Sequence, residues 1–518
     1  MGIHEMNDLK ETANLDEVEH GSHGSGPRDE KDNSHPYGGA STTAGLERYI
    51  NLSSVVNFGV VILGSWESFA LTFQFALLNG GPSSMFYGAI LVTFGVCSVG
   101  FSLAELAAID PTVGAQYRWS ANLAPSHPRF WGLIQGWITI AAWCFACAGP
   151  PSILANLVSS LAMFNYPEYV VKRWHTSLIM IATMIFPLLF NLYFRKVLDT
   201  FEITGGILHI VLFIVFIVVL VVFGPRSDPS FVFDTLTSDL SGWNNEGVSW
   251  GLGLLTVSFS VAGFDSILHM SEEVKKVRTR VPRSIIAACT VNCAMLLVFV
   301  LVILFYMGPT EELLMYPLPL IYVLYGATGS KAGTNAMIAL TAVVLFLAFF
   351  NAIASVSRLI WVFARDKGLP FHKFFGHVHP TLKLPLNALF LICGVVTLLA
   401  LIYMASATAF NALVSLQALA LHVSYFLPIL FMFLRRIRGD PPTYGPFKLG
   451  KLGVPVNLFA LCYLFYICLW MPFPQILPVT KDTFNYSGPI FGAVIIAALA
   501  DWFISGKTRF QMPVTRYE

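Results

Sequence analysis

The segments Gly64-Ser65-Trp66-Glu67-Ser68 and Ala262-Gly263-Phe264-Asp265-Ser266 each interrupt an apolar stretch that is long enough to cross a lipid bilayer. Glu67 and Asp265 are expected about halfway along these two stretches. A carboxylate at that depth costs several kcal/mol unless protein, water or a ligand compensates it, so it marks a candidate functional site. Paired interruptions at corresponding positions of two halves also indicate the site of a secondary transporter. The sequence therefore predicts a polar chamber around the two breaks.

The composition indicates a membrane protein. Hydrophobic residues make up 55% of the 518 residues and charged residues only 12%, about half the roughly 25% of a typical soluble domain. A transmembrane helix needs about 20 mostly apolar residues, and twelve stretches qualify. The predicted spans are residues 53–79, 83–108, 129–160, 175–194, 201–223, 249–271, 284–308, 335–363, 385–404, 408–434, 453–472 and 486–505. We predict an all-α polytopic membrane protein with twelve transmembrane helices.

The basic residues between the spans predict the orientation, because Lys and Arg concentrate in cytoplasmic loops. One side of the predicted bundle carries Arg118, Arg129, Arg195, Lys196, Lys275, Lys276, Arg278, Arg280, Arg283, Arg365, Lys367, Lys373, Lys383, Arg435, Arg436, Arg438, Lys448 and Lys451. The opposite side carries only Lys172, Arg173, Arg226, Lys331 and Lys481. Both termini are therefore expected in the cytoplasm, with the plasma membrane as the expected location.

The two ends of the chain differ from the apolar region between them. Residues 1–50 are polar, rich in Gly, Ser, His and acidic residues, and have no apolar period. This composition predicts a disordered cytoplasmic tail, without a signal peptide. We place the transporter domain at residues 51–510 and a short cytoplasmic tail at 511–518. We expect no metal, no cofactor and no nucleic acid partner.

The chemistry of a broken membrane helix suits a small ligand. Non-helical backbone at this depth must be buried in protein or line a watery cavity. The positive end of a half-helix suits a substrate carboxylate, while freed carbonyls suit an amine or cation. The predicted substrate-binding residues are Gly64, Ser65, Trp66, Glu67, Ala262, Gly263, Phe264 and Asp265. Asp265 and Ser266 could instead cap the second half of span six, and Glu67 could point into a polar seam between helices.

Three further motifs follow spans two, six and eight. They are Ser102-Leu103-Ala104-Glu105-Leu106 with Pro111, Gly114, Gln116, Tyr117 and Trp119; Glu272-Glu273-Val274 with Val281-Pro282; and Phe363-Ala364-Arg365-Asp366-Lys367-Gly368-Leu369-Pro370. Together they resemble the amino acid–polyamine–organocation superfamily. Within it, the chain is similar to the fungal amino acid/choline transporter family over residues 50 to 510. The residues that resemble its choline members are Phe259, Ser260, Asp265, His269 and Met270, while Trp66-Glu67 resembles its GABA-permease-like members.

The resemblance implies a fold with two inverted repeats of five helices, spans one to five and six to ten, followed by two appended helices. Helices one and six are discontinuous in this fold and enclose the binding site. The sequence itself contributes the five-plus-five spacing of the spans and a break near the middle of spans one and six.

Proton coupling and gating have their own candidate residues. His209 on span five can exchange a proton near physiological pH, although a buried, hydrogen-bonded structural histidine is the plainer interpretation. In prokaryotic relatives a lysine on span five has a comparable role, and this chain has none there. His269, Glu105, Glu272 and Arg358 are expected near the cytoplasmic ends of their spans. We expect Glu105 and Arg358 to form a structural or gating pair.

Aromatic residues could also contribute to the site, because an ammonium group over an aromatic face gains about 0.5 to 2 kcal/mol. The candidates for such a wall are Trp66, Trp137, Trp143, Phe259 and Phe264. Aromatic residues make up 14% of the chain, so most of them are expected in the core or against lipid.

These observations predict a proton-coupled permease that imports a small nitrogenous solute, such as an amino acid, GABA or a choline-like amine. Its partners are this solute, protons and the lipid bilayer. The alternative is a nutrient-sensing receptor that is built on a transporter fold and carries little flux. An enzyme is not expected, because the sequence has no His-Glu-x-x-His and no phosphate-binding loop. The match of Gly247-Val248-Ser249-Trp250-Gly251 to a nucleophile elbow lacks the required strand–turn–helix setting.

Overall fold

The structure is a computed structural model that describes residue 48, residues 50–194 and residues 198–511. Apart from residues 48, 50 and 511, the two predicted tails lie outside the described residues. The described part of the chain is helical, and its extended pairing is limited to two isolated bridges, Ile50 with Val274 and Gly80 with Thr237. The prediction of an all-α polytopic protein is confirmed.

The twelve spans appear in the order that the sequence predicts. Their helices are Leu52–Leu63 with Ser65–Thr72 and Gln74–Leu78, Gly81–Ile109, Pro128–Ala146 with Gly149–Asn165, Arg173–Tyr193, Leu198–Phe223, Glu246–Phe259 with Ser266–His269, Val277–Tyr306, Lys331–Arg365, Leu386–Ala405, Ala407–Ile437, Gly453–Trp470 and Ser487–Asp501. Short helices between or after them are Ala115–Leu123, Pro229–Phe233, Ser271–Glu273, Thr310–Leu313, Pro319–Thr328, His372–Phe375, Gly450–Leu452, Trp502–Gly506 and Lys507–Arg509.

Eleven helical segments in the described part of the chain are long and apolar enough to cross a membrane, when the pieces Leu52–Thr72 of span one and Pro128–Asn165 of span three are each counted as one segment. Span six is the exception, because its break leaves pieces of 14 and 4 residues. Neither piece reaches the roughly 20 residues that a bilayer requires, and the two pieces make the crossing together. The helix of span six is thus interrupted, as the sequence predicts.

The packing of the spans follows a two-fold pattern. Span one packs on span seven, and span six, its counterpart in the second half, packs on span two, the counterpart of span seven. In the same way, spans three and four pack together as their counterparts eight and nine do. Span five packs on span eight as span ten packs on span three. Because each repeat contains five crossings, span six crosses the membrane in the opposite direction to span one. This is the inverted repeat that the family resemblance implies.

We call the face of the bundle on which span one begins the basic face, because most loop Lys and Arg residues lie there. Ile50 joins this face just before span one. Its amide donates to the carbonyl of Glu273 at 3.0 Å, and its carbonyl accepts from the amide of Lys275 at 3.1 Å. The start of the transporter domain near residue 51 is therefore held against the chain that follows span six.

Span three differs from the sequence prediction, which made it one continuous helix. Its first half ends at Ala146, and its second half begins at Gly149 with Pro150 in the first turn. Proline lacks an amide hydrogen, and its ring clashes with the preceding turn, so it favours the start of a helix over its interior. The run Gly149-Pro150-Pro151 is the sequence signal for this third break.

Candidate functional site

The break in span one is a single residue wide. Gly64 has φ of +46° and ψ of +47°, a left-handed conformation that glycine adopts without the steric penalty of a side chain. Asn292 of span seven bridges the break from the other repeat. Its side chain donates to the carbonyl of Val60 at 3.3 Å and accepts from the amide of Ser65 at 3.3 Å. The backbone groups beside the break are thus largely satisfied by protein.

The break in span six is wider. The first half of the span ends at Phe259 and the second begins at Ser266. Gly263 lies between them with φ of +104°, which side-chain-bearing residues rarely adopt. A Cβ added there would contact the indole of Trp143 at 3.4 Å. The Asp265 side chain makes no capping hydrogen bond to the second half of the span, so the capping interpretation is wrong.

A cavity of about 120 Å³ lies between these breaks. A single water needs about 10–15 Å³ of such space, so the cavity is large enough for a small organic solute. Spans one, three, six, eight and ten contribute its lining. The lining residues are Val61, Ile62, Leu63, Gly64, Glu67, Ser68, Trp143, Ala146, Gly149, Pro150, Ile153, Phe259, Ala262, Gly263, Val344, Leu345, Ala348, Ala352, Gln417, Ala418 and Leu421. Glu67 is the only charged residue among them.

Glu67 is paired with His209. The Nδ1 atom of His209 lies 2.7 Å from Oε1 of Glu67, and both side chains are almost fully buried. The other carboxylate oxygen, Oε2 of Glu67, is buried and has no hydrogen-bond partner within the described part of the chain; the same holds for Nε2 of His209. Within the described part of the chain, the Glu67 carboxylate therefore has one bonded and one unbonded oxygen.

Asp265 has different surroundings. Its Oδ1 accepts from the hydroxyl of Tyr425 at 2.5 Å, and its Oδ2 accepts from Nε2 of Gln116 at 2.5 Å and from Nε1 of Trp143 at 2.9 Å. His269 lies 3.8 Å away, from its Nε2 to Oδ2. We call Asp265, Gln116, Trp143, Tyr425 and His269 the Asp265 cluster. Three direct donors satisfy this carboxylate without any ligand.

The Asp265 cluster lies between the cavity and the basic face. Trp143 lines the cavity and contacts Asp265, while Gln116 belongs to the helix Ala115–Leu123 that follows span two on the basic face. His269 also bonds to Ser355 of span eight, with 2.8 Å between Nδ1 and Oγ. The cluster thus ties together spans three, six, eight and ten and the basic-face helix below the cavity.

The structure places the eight predicted substrate-binding residues in two groups. Gly64, Glu67, Ala262 and Gly263 line the cavity, whereas Ser65, Trp66, Phe264 and Asp265 do not. For each of the second group there is a structural reason. Ser65 bonds to Asn292 through its amide and its hydroxyl. The side chain of Trp66 packs among aromatic rings of spans five and seven, Phe213, Phe216 and Phe299.

The other two residues turn toward span ten. The Phe264 ring stacks on the Tyr425 ring at 5.1 Å, and the same Tyr425 holds Asp265. The aromatic wall is correspondingly smaller than the sequence suggests. Trp143 and Phe259 line the cavity, while Trp137 donates to Asp501 of span twelve at 3.0 Å.

The predicted gating residues form ion pairs, but with partners other than those expected. Glu105 and Arg358 do not pair with each other. Arg358 bonds to Glu273 at 2.9 Å between Nε and Oε1, and Glu105 accepts from Arg436 of span ten. The span-two and span-eight charges are separated because each has a nearer partner, one in span ten and one in the short helix Ser271–Glu273. Glu272 pairs with Arg365 at 2.8 Å.

These pairs continue into the turn after span eight. The Tyr117 hydroxyl donates to Asp366 at 2.9 Å. Burial raises the pKa of the Asp366 carboxyl above its ordinary value, while Arg365 and Arg118 act in the opposite direction. Because Tyr117 is adjacent to Gln116, the turn after span eight and the Asp265 cluster are joined through one short helix.

Sequence reasoning missed several residues that build the site. Asn292, Tyr425 and Gln417 are polar residues inside otherwise apolar spans, which was the signal available for them. Gln116 was noticed only as part of a family motif, and its contact with Asp265 joins residues 149 positions apart. Within the described residues, no group of three or more His, Cys, Asp or Glu side chains is arranged to hold a metal ion.

Comparisons with known proteins agree with this architecture. A family profile described as amino acid permease matches residues 51–496. A Macrophomina phaseolina protein named as an amino acid/polyamine transporter is 30% identical over 439 residues, which cover 84% of this chain and 96% of that protein. The choline transporter of Saccharomyces cerevisiae is 30% identical over 475 residues, covering 90% of this chain and 83% of the relative. An amino-acid permease BAT1 homolog of Oryza sativa is 26% identical over 500 residues, covering 91% and 94%.

The profile match and the two relatives at 30% identity cover most of the chain, and they confirm the resemblance that the motifs carry. They also agree with the helical membrane fold and with a cavity suited to a small amino acid or amine. The chain belongs to the amino acid permease family and is a multi-pass integral membrane transporter, not an enzyme.

Proposed function

We propose that this permease imports a small nitrogenous solute, an amino acid such as GABA or a choline-like amine, together with protons. The observation that carries the proposal is the Glu67–His209 pair beside the cavity. It puts a buried carboxylate and an imidazole within 2.7 Å of each other, at the break of span one.

The carboxylate suits the nitrogen end of the solute. Glu67 is one of the residues that line a largely apolar cavity, and its Oε2 has no partner within the described part of the chain. A buried carboxylate without a counter-charge is costly, and an ammonium group removes that cost. Binding of a solute with an ammonium group is therefore favoured by its attraction to this carboxylate.

The histidine suits the proton. Imidazole changes its charge between about pH 5 and 8, and Nδ1 of His209 already contacts Oε1 of Glu67. When His209 is protonated, the carboxylate has an imidazolium on one oxygen and an ammonium on the other. Proton and solute thus meet at one acid, which is the structural requirement for moving them together.

Alternating access requires that the cavity open to one face at a time. We propose that the Asp265 cluster and the ion pairs Arg358–Glu273 and Arg365–Glu272, which form the contacts described above, close the path toward the basic face in this conformation. We propose that they separate when the cavity opens to that face, as expected for a two-state element. His269, Glu105 and Glu272 then act in the gate and not in solute binding.

The basic face is the cytoplasmic face in this proposal, because Lys and Arg favour cytoplasmic loops. Both termini then lie in the cytoplasm, and the plasma membrane is the proposed location. Import is the direction in which an inward proton gradient can drive the solute.

The test uses the purified full-length protein in liposomes. Labelled GABA and labelled choline are offered with and without an inward proton gradient. Uptake of at least one solute above protein-free liposomes, stimulated several-fold by the gradient, supports the proposal. Saturable binding of a solute without uptake would favour the nutrient-sensing alternative, and uptake that ignores the gradient would remove proton coupling.

A further inference from the structure

The segment after span twelve, residues 502–511, contacts the basic face beside the proposed gate. It consists of the short helices Trp502–Gly506 and Lys507–Arg509, followed by Phe510 and Gln511. Its side chains reach the helix Ala115–Leu123, span three and the turn after span eight. A change in this segment can therefore act on the gate without touching the cavity.

Arg509 attaches the segment to the end of span eight. The helix of span eight ends at Arg365, and Lys367 follows with φ of +57°. A cation is favourable at this end of a helix, which carries a negative partial charge. The guanidinium of Arg509 donates to the carbonyls of Lys367 and Gly368 at 2.9 and 2.8 Å, and it also donates to Asp501 at 2.7 Å. The pair with Asp501 thus orients the guanidinium toward the turn after span eight.

Phe510 anchors the segment between three helices. Its side chain is fully buried, and its ring centroid lies 6.3 Å from that of Tyr117 and 5.9 Å from that of Phe363. A Cβ added to Gly132 of span three would lie 3.1 Å from the Phe510 ring, so the missing side chain of this glycine leaves room for the ring. Burial of an aromatic ring favours the docked segment. The ring joins spans three and eight to the helix Ala115–Leu123.

Gln511 adds a second link to the same helix. The amide of Gln511 donates to the carbonyl of Asp366 at 3.3 Å, and Nζ of Lys367 donates to Oε1 of Gln511 at 2.6 Å. The carboxylate of Asp366 accepts from the hydroxyl of Tyr117 at 2.9 Å. The segment therefore reaches Tyr117 in two ways, through the Phe510 ring and through Asp366.

The helix Ala115–Leu123 continues these contacts toward the cavity. Tyr117 meets the segment, and its neighbour Gln116 donates to Oδ2 of Asp265 at 2.5 Å. Adjacent residues of one helix move together, because the backbone hydrogen bonds fix their positions. The Asp265 cluster is the proposed seal between the cavity and the basic face. A shift of Tyr117 therefore moves one of the donors of this seal.

Docking of the segment and closure of the seal should stabilise each other. An element favours one conformation by as much as its contacts are stronger there. If the basic face opens by movement of the helix Ala115–Leu123 or of the turn after span eight, the Phe510 pocket loses one of its walls. The docked segment then favours the closed conformation, and its release favours opening.

We propose that the segment after span twelve is a latch of the basic-face gate. Phe510 and Arg509 are positioning residues in this proposal, and they keep the seal at Asp265 closed through Tyr117 and Gln116. The role of the latch in access to the cavity rests on the proposed function. The coupling between the segment and the seal can be measured without any transport.

Hydrogen exchange of backbone amides measures this coupling in the purified full-length protein. Phe510→Ala removes the anchor, and the matched control is Phe503→Ala, the identical change in the same segment at a side chain that is 79% exposed. For Phe510→Ala we expect at least about tenfold faster exchange in Ala115–Leu123, Ser266–His269 and Ser271–Glu273, because fewer contacts then oppose local opening. Phe503→Ala should exchange like the wild type in these elements.

The reverse direction gives a second measurement, because coupling between two sites is reciprocal. Gln116→Ala removes a donor of Asp265 and leaves every side chain of the segment in place. It should accelerate, several-fold, the exchange of the Phe510 amide, which donates to the carbonyl of Gly506 at 2.9 Å. The control is Gln74→Ala, the identical change in the last helix of span one, near the opposite face.

The outcomes separate a latch from a local anchor. Faster exchange in both directions supports the proposal. If Phe510→Ala accelerates exchange only within residues 502–511 and the turn after span eight, the segment is a local anchor and the proposal is overturned. Unchanged exchange of the Phe510 amide in Gln116→Ala overturns it as well, and this measurement decides if Phe510→Ala does not fold.

Transport is tested separately. If the wild type carries neither labelled GABA nor labelled choline into liposomes, the proposed function fails, and the role of the latch in access to the cavity fails with it. The coupling measured by hydrogen exchange is independent of that result. Uptake by the wild type without coupling in either direction would leave the permease function in place and remove the latch.

Discussion

The hydroxyl of Tyr425 donates a 2.5 Å hydrogen bond to Oδ1 of Asp265, so that span ten holds the acid at the break of span six. This contact separates the roles of two carboxylates that look equivalent in the sequence. Glu67 lines the cavity with one unused oxygen, whereas Asp265 is engaged on both oxygens. Within the described part of the chain, one acid has an unbonded oxygen and the other has both oxygens bonded to protein donors.

Removal of the Tyr425 hydroxyl tests the seal. Tyr425→Phe keeps the ring that stacks on Phe264 but leaves Oδ1 of Asp265 without its donor. A buried acceptor that loses its partner costs about 1–3 kcal/mol, so we expect a lower thermal unfolding temperature in detergent. Tyr403→Phe, on the half-buried face of span nine, serves as the control. Equal unfolding temperatures for the Tyr425 variant and the wild type would contradict the described contact.

The role of His209 in proton coupling is tested by measuring net uptake and solute exchange separately. His209→Gln preserves a hydrogen bond to Glu67 but no longer takes up a proton. We expect that an inward proton gradient no longer stimulates uptake, while exchange of internal for external solute continues at a comparable rate. His175→Gln, on the face opposite to the basic face, should behave like the wild type. Stimulation that persists in the His209 variant would place proton coupling at another group.

Alanine substitution at Gly64 and at Gly263, the glycines of the two breaks, should destabilise the protein to different extents. Alanine at Gly64 costs about 1–2 kcal/mol, the penalty of a left-handed residue. Alanine at Gly263 should cost more, because φ of +104° lies outside the left-handed helical region and strains any residue with a side chain. Gly394→Ala in span nine meets no atom within 4 Å and should be neutral or slightly stabilising.

Thermal unfolding and solute uptake are measured for these three alanine variants, which are then ranked by their loss of stability and of uptake. The expected order of loss is Gly263 first, Gly64 second and Gly394 last. If Gly263→Ala unfolds and transports like Gly394→Ala, the backbone at the break of span six differs from the one described here.

Much of the architecture is predictable because it depends on local properties. The apolar length of span two predicts residues 83–108, and the helix is Gly81–Ile109. The breaks at Gly64 and Gly263 follow from glycine beside polar residues in an apolar stretch. The sequence Gly149-Pro150-Pro151 indicates the break of span three. The break was not predicted, because the apolar stretch around it is long enough for one continuous span.

The contacts of the acids could not be predicted in the same way, because they depend on residues far apart in the chain. Glu67 meets His209 across 142 positions, and Asp265 meets Tyr425 across 160. A mid-membrane depth predicts that a carboxylate needs a partner, but it does not specify whether the partner is protein or ligand. Only the packing of spans five and ten distinguishes the two acids.

The segment after span twelve contacts the basic face. Arg509 pairs with Asp501 at 2.7 Å, and it donates to the carbonyls of Lys367 and Gly368 at 2.9 and 2.8 Å. The buried ring of Phe510 packs near Tyr117. This segment thus holds the turn after span eight, beside the pair Tyr117–Asp366.

Arg509→Ala should therefore lower the unfolding temperature and expose the chain after Asp501 to limited proteolysis. Arg509→Lys should restore only part of the loss, because lysine keeps the charge but not the planar fork that reaches several acceptors at once. Arg438→Ala, which removes an arginine at the exposed end of span ten, provides the control. Similar proteolysis of the wild type and the Arg509→Ala variant would show that Phe510, and not the guanidinium, holds this segment in place.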